Sequence, residues 1–216
     1  LSGQQLIGVG TNLKFYINRG GAYYDITPIR DAASLSNPFT AHVGSSVITV
    51  HDVAHGCVTN DFVTFNGAVS LGGTITAALL NQEYQVTVVD DDNYTIDVGT
   101  NANSSDTGHG GTAVRAVYQI NTGPDAQIPQ TGWGAGYWGF GTWGFGAASV
   151  TSIRLWSQST FGQNLVFGPR GGAIYYFDSF SSGAPIKVTI SNATPAVVTL
   201  PVAPDRKSTR LNSSHT

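Results

Sequence analysis

Glu83 is the sole glutamate of the 216-residue chain, so any paired-carboxylate chemistry would have to draw on aspartates. Asp25 and Asp178 are the tempting pair, because each closes a similar stretch of sequence. Equivalent positions in two similar stretches are better explained by hydrogen bonding at a strand end, so no catalytic residue is assigned. His51 and His55 have the i, i+4 spacing that binds zinc on a helix. Here the segment reads as a strand running into a turn, where that spacing separates side chains by ~13 Å. No third ligand is evident, and no metal site is assigned. Asp90-Asp91-Asp92-Asn93 lacks the spaced acidic residues and closing glutamate of a calcium loop, and reads as a hairpin turn. There is no nucleophile elbow, and the glycine pairs lack the strand–loop–helix setting that cradles phosphate. No cofactor is expected.

The most unusual residues form a glycine-aromatic tract over 132–146, carrying Trp133, Tyr137, Trp138, Phe140, Trp143 and Phe145 with almost no other side chain. Such rings are costly to leave in water. Three readings stay open: packing against the scaffold of the same chain, burial at a subunit interface, or a platform on which sugars stack.

The elements that would carry these residues read as β throughout. Charged residues make up 11% of the chain, against ~25% in ordinary domains, and there are 27 Gly. Abundant Val, Thr and Tyr with frequent turn residues suit strands, not disorder. The expected fold is all-β: a partial propeller-like scaffold of antiparallel hairpins carrying an inserted small β-barrel or sandwich module.

The scaffold reading rests on an internal likeness. Residues 12–25 and 164–178 both read N-L-x-F, then R-G-G-A, then a tyrosine pair and an aspartate. Each predicts a β-hairpin that turns at Arg19-Gly20-Gly21 or Arg170-Gly171-Gly172. The copies begin 152 residues apart; setting aside 40–117 and 123–148 as insertions leaves 48, near the ~40–50 of a four-stranded propeller blade. Strands are predicted at 152–159 and 185–190 to flank the second hairpin. The module at 40–117 is predicted to have strands at Val47–His51, 62–65, 84–89, 94–98 and 112–120, and a short helix at 74–81. The scaffold's parts are then 1–39 and 118–204.

Both ends of the chain are unusual. It opens at Leu1 and holds no Met, which reads as a trimmed or incompletely sampled start. Residues 205–215, D-R-K-S-T-R-L-N-S-S-H, match one reading frame of a widely used short-read sequencing adapter, so 205–216 are set aside as an artefact and the protein is expected to continue beyond Pro204. Setting aside Asp205, Arg206, Lys207 and Arg210 moves the formal net charge from −3 to −5. No basic stripe remains to hold nucleic acid. No apolar run approaches a membrane span. The single cysteine, Cys57, excludes an internal disulfide framework and paired-cysteine zinc sites.

Several motifs carry a resemblance. His55-Gly56, Asp61-Phe62-Val63-Thr64-Phe65, Tyr84-Gln85-Val86 and Asp92-Asn93-Tyr94-Thr95-Ile96 are similar to a pattern of small β-modules in phage tail proteins: H-G, G-D-x-V-T, Y-x-V and D-x-N-T-Y-T. Asn60 departs from it, standing where the pattern has Gly. The glycine-tryptophan tract, with Arg154-Leu155-Trp156-Ser157, Phe161-Gly162 and Pro169-Arg170-Gly171-Gly172, resembles virion structural proteins of short-tailed phages, of the tail-nozzle type. The resemblance implies a non-catalytic, propeller-like ring component of the virion tail, made in the bacterial host cytoplasm. Its partners would be other tail proteins and copies of itself. The alternatives are a carbohydrate-binding module that contacts host-surface glycan and, less in keeping with one glutamate, a polysaccharide-degrading enzyme.

Overall fold

The structure is a computed structural model that describes residues 7–124, 153–162, 164–178, 184–190 and 198–199. The described residues are almost entirely β. They fall into two compact units, one formed by Leu1–Ile26 with Gly123–Thr216 and the other by Thr27–Thr122.

The chain begins in the first unit with β1 (Ile7–Gly10), β2 (Phe15–Arg19) and β3 (Ala22–Asp25), an antiparallel sheet in that order. Arg19 pairs with Ala22 across Gly20 and Gly21, so the turn has two residues, both at positive φ (59° and 90°). That is the backbone a two-residue hairpin needs, and side chains other than Gly, Asn or Asp rarely adopt it.

The second unit holds β4 (Ile29–Leu35), β5 (Phe39–Ala41), β6 (Val47–His51), β7 (Phe62–Asn66), α1 (Ala77–Leu80), β8 (Glu83–Gln85), β9 (Thr87–Val88), β10 (Asn93–Asp97), β11 (Asp106–His109) and β12 (Val114–Gln119). They form two sheets, ordered β11-β5-β6-β10-β9 and β4-β12-β7-β8, around one hydrophobic core. The module is thus a two-sheet sandwich. Alternation drives it: Ile48 and Val50, Val63 and Phe65, and Tyr94 and Ile96 point inward while their neighbours do not. Phe39 of one sheet meets Phe65 of the other edge-on at 5.1 Å.

Three sequence expectations change here. The unit runs Thr27–Thr122 rather than 40–117, because β4 pairs with β12 from Ile29↔Gln119 to Leu35↔Val114. The strand predicted over 84–89 is two strands in different sheets. Between them lies buried Val86, whose N–H goes to the Asp61 carbonyl at 2.8 Å. The helix predicted over 74–81 is one turn, capped by the Thr76 hydroxyl accepting from Leu79 N–H.

The chain then returns to the first unit through β13 (Trp156–Phe161), β14 (Asn164–Pro169), β15 (Tyr175–Phe177) and β16 (Ile186–Lys187), a four-stranded antiparallel meander, and β17 (Thr189–Ile190) paired with β18 (Val198–Thr199). The Trp156 ring of β13 occupies the space a Cβ on Gly10 of β1 would need, and the end of the Gln158 side chain lies where a Cβ on Gly8 would point. The Trp156 indole N–H donates to the Thr11 carbonyl at 2.8 Å. Phe15 of the first hairpin stacks on Phe167 of the second at 4.4 Å and 17°. These are matching positions of the two similar stretches.

The two hairpins nonetheless turn differently. β14 runs on to Pro169 and β15 starts only at Tyr175, so Arg170, Gly171 and Gly172 lie in a longer loop, with Gly172 N–H bonded to Pro169 O at 2.9 Å. The tyrosines differ as well. Tyr175 and Tyr176 are 7% and 5% exposed beside β16, whereas Tyr23 and Tyr24 are 64% and 54% exposed.

Candidate functional site

Of the polar residues tested for chemistry, Asp25, Glu83, His51, His55, Asp90 and Asp92 are held in local structural roles. Asp25 takes the Lys14 ammonium at 2.7 Å. Glu83 accepts from the Gln119 side-chain amide at 3.1 Å. The His51 ring lies against the Asn93 side chain at 3.1 Å, while His55 is buried and faces other partners. Among the described residues, no group of three His, Cys, Asp or Glu could hold a metal ion. No helix among them is long and apolar enough to cross a membrane.

The acidic run closes the β9–β10 turn. Asp90 Oδ1 accepts from Asp92 N–H and from the Asn93 side-chain amide, both at 2.9 Å. These bonds, the Asp92 N–H first, hold the Asp90 carboxyl below its ordinary value of 3.8. A carboxylate with a depressed folded pKa contributes stability that is present above the ordinary value and is lost as pH falls through the lowered one. An acid titration should therefore shift the Asp92 amide NMR resonance with a midpoint below 3.8. Asp90→Asn should abolish that step.

The densest polar cluster lies where the chain enters and leaves the second unit. The two ends sit side by side, with Ile120 N–H on Pro28 O at 2.9 Å. Asp61, 1% exposed, ties the exit down. Its Oδ1 accepts from the Thr122 N–H at 2.7 Å and the Thr122 hydroxyl at 3.1 Å. Its Oδ2 accepts from the Asn121 side-chain amide at 2.7 Å and Val58 N–H at 2.9 Å. A buried carboxylate is tolerable only with such donors around it.

Beside it lies a second set of bonds. His55 Nδ1 accepts from Cys57 N–H at 3.0 Å, leaving Nε2–H to donate to the Asp90 carbonyl at 3.0 Å. Arg30 Nη2 donates to His55 O at 3.0 Å and to Cys57 Sγ at 3.4 Å, and the guanidinium sits 5.4 Å from the Tyr118 ring centre. Tyr118 O–H donates to the buried Asp52 carboxylate. Tyr94 therefore donates to Tyr118, oxygen to oxygen, at 2.9 Å. Burial pushes both phenols well above their ordinary value, so they stay protonated as donors. Burial also pushes the Cys57 thiol up to about 11, against the opposing pull of Arg30. A protonated, covered thiol is a poor nucleophile.

The motif residues thus meet here. His55, Gly56, Asp61 and Asp92 belong to this cluster, and Tyr94 joins it to the core. Asn60, in place of the pattern's Gly, has φ 81°, a left-handed conformation that Asn tolerates better than most residues. Arg30, Asp52 and Asn121 were not singled out from sequence; no local pattern marks them. The six aromatics Trp133, Tyr137, Trp138, Phe140, Trp143 and Phe145 lie outside the described residues, as does 205–216.

These features define an all-β chain carrying a sandwich whose polar residues close its own neck. No protein-family model matches the chain, and no curated protein matches it. Among solved structures, phage phi92 endosialidase is similar at a TM-score of 0.35 and 15% identity, over 87% of this chain and 30% of that one. A TM-score that low does not define a shared fold.

Proposed function

We propose that the chain is part of a structural, non-catalytic component of a bacteriophage tail, acting through protein–protein contacts. On this reading it sits in the virion as a homo-oligomeric, propeller-like ring of the tail-nozzle type. The observation that carries the reading is where the tail-module motif residues stand. His55, Asp61, Asp92 and Tyr94 all serve closure and packing of the sandwich, which is what an assembly module asks of them. Their resemblance to modules of phage tail proteins supplies the setting.

A second reading, a module that binds host-surface glycan, is favoured by Tyr23 and Tyr24, whose rings stand largely in water. One set of experiments separates the two. Light scattering and electron microscopy of the purified chain should show a ring or a higher oligomer. Trp138→Ala and Trp143→Ala should abolish that assembly or cost the fold ~3–5 kcal/mol, the usual effect of removing a buried Trp. A monomer that melts normally in both variants, and binds glycan on an array, overturns the structural reading. Tyr23→Ala and Tyr24→Ala should then remove the glycan signal.

A further inference from the structure

Residues 52–61 join β6 to β7 without entering either sheet. Ala54, Gly56 and Asn60 take positive φ there, at 55°, 61° and 81°. Alanine in that region is strained, because its Cβ crowds the backbone. Backbone bonds pin the two ends of the loop, Asp52 N–H to Asp92 O at one and the Asn60 and Asp61 exchange with Val86 at the other. Its middle is held by side chains: Asp92 accepting from Ala54 N–H at 2.9 Å, Arg30 on His55 O, and Asp61 bridging Val58 to Asn121 and Thr122. The Asn121 amide also reaches Gly56 O at 3.0 Å. The sheets, by contrast, are held by continuous strand ladders over a shared apolar core. A strained segment with few apolar anchors opens at lower free energy than the core beside it.

We propose that loop 52–61 and residues 120–122 form a latch, fastened by Asp61, which opens as a unit while both sheets stay folded. Opening frees Thr122, where the chain passes on to the first unit, and uncovers Cys57. Asp61 is the main fastening because its carboxylate takes Val58 within the loop and both Asn121 and Thr122 at the exit, to which Asn121 adds one bond to Gly56 O.

Cys57 is the sole cysteine and gives a single-site readout. The experiment follows maleimide labelling of Cys57 in the full chain under native conditions, beside hydrogen exchange at the amides of Ile48 and Ile96 in the sheets. Cys57 should be at least ~100-fold less protected than those amides. Asp61→Asn sets an amide donor against N–H groups and should speed labelling about tenfold or more, since charged hydrogen bonds are lost. Sheet protection should stay within about threefold of the wild type. Thr122→Val, which removes only the hydroxyl donor, should give a smaller gain. Asp97→Asn, at a turn carboxylate outside the latch, should give none. Equal protection of Cys57 and the sheet amides in the wild type overturns the latch. So does an Asp61→Asn chain whose sheets lose protection together with Cys57.

Discussion

Phe65→Ala should cost the Thr27–Thr122 unit about 3–5 kcal/mol, the usual effect of emptying a buried phenylalanine site. Phe65 is wholly buried on β7, between β12 and β8, and its ring meets Phe39 across the sandwich. Truncation removes the apolar area and leaves a cavity that two hydrogen-bonded sheets cannot easily close. A unit of this size has about 5–15 kcal/mol in all, so the loss is a large share of it. The units can be watched separately. Tyr94 and Tyr118 lie in the second, whereas every Trp lies outside Thr27–Thr122. Denaturation followed at the Tyr94 and Tyr118 ring NMR resonances should shift to a lower midpoint, while tryptophan fluorescence keeps the wild-type midpoint. Phe65→Leu should lose about 1.5 kcal/mol or less, because it keeps most of the volume. An unchanged tyrosine midpoint would remove Phe65 from the core, and equal shifts of both signals would mean that the units unfold as one.

What could be read from sequence follows from where strands announce themselves. Val47–His51 and the stretches that became β7 and β10 alternate β-branched or aromatic residues with polar ones, and their register follows from that pattern. β4 does not: Ile29–Leu35 contains Asp31, Ala32, Ala33 and Ser34, weak strand formers, at the edge of its sheet. Its order comes from pairing with β12, which no local window contains. Overlooking it placed the module's start near residue 40. The break at Val86 is hidden for the same reason, since a strand that changes sheets keeps its composition. At the neck, His55 and Asp61 were visible as motif residues. That Arg30 and Asn121 meet them is decided by the fold, as the sandwich brings together residues 25 to 60 positions apart. The second glycine pair was read as a turn like the first. Pro169, which cannot donate to the ladder, and the later start of β15 make a longer loop instead.

Phe15→Ala should cost the first unit a similar ~3–5 kcal/mol. Phe15 and Phe167 are both fully buried, stacked on each other at 4.4 Å, with Trp156 tilted against Phe15 at 4.8 Å. The two phenylalanines stand at matching places in the two similar hairpins, so this pair joins the one hairpin to the other. Neither ring has the same partner once the other is gone. A double-mutant cycle over Phe15→Ala and Phe167→Ala should therefore give a coupling of about 0.5–1.5 kcal/mol beyond area burial. Trp156 supplies a local check. Its indole N–H donates to Thr11 O, only a short step along the chain from Phe15, so its NMR resonance should shift in both single variants. Strictly additive losses with an unmoved indole signal would mean that the rings lie near each other without sharing energy. The likeness of the two hairpins would then be one of sequence alone. A measured coupling would make the pair the contact through which two hairpins, separated in sequence by an entire sandwich, fold as parts of one unit.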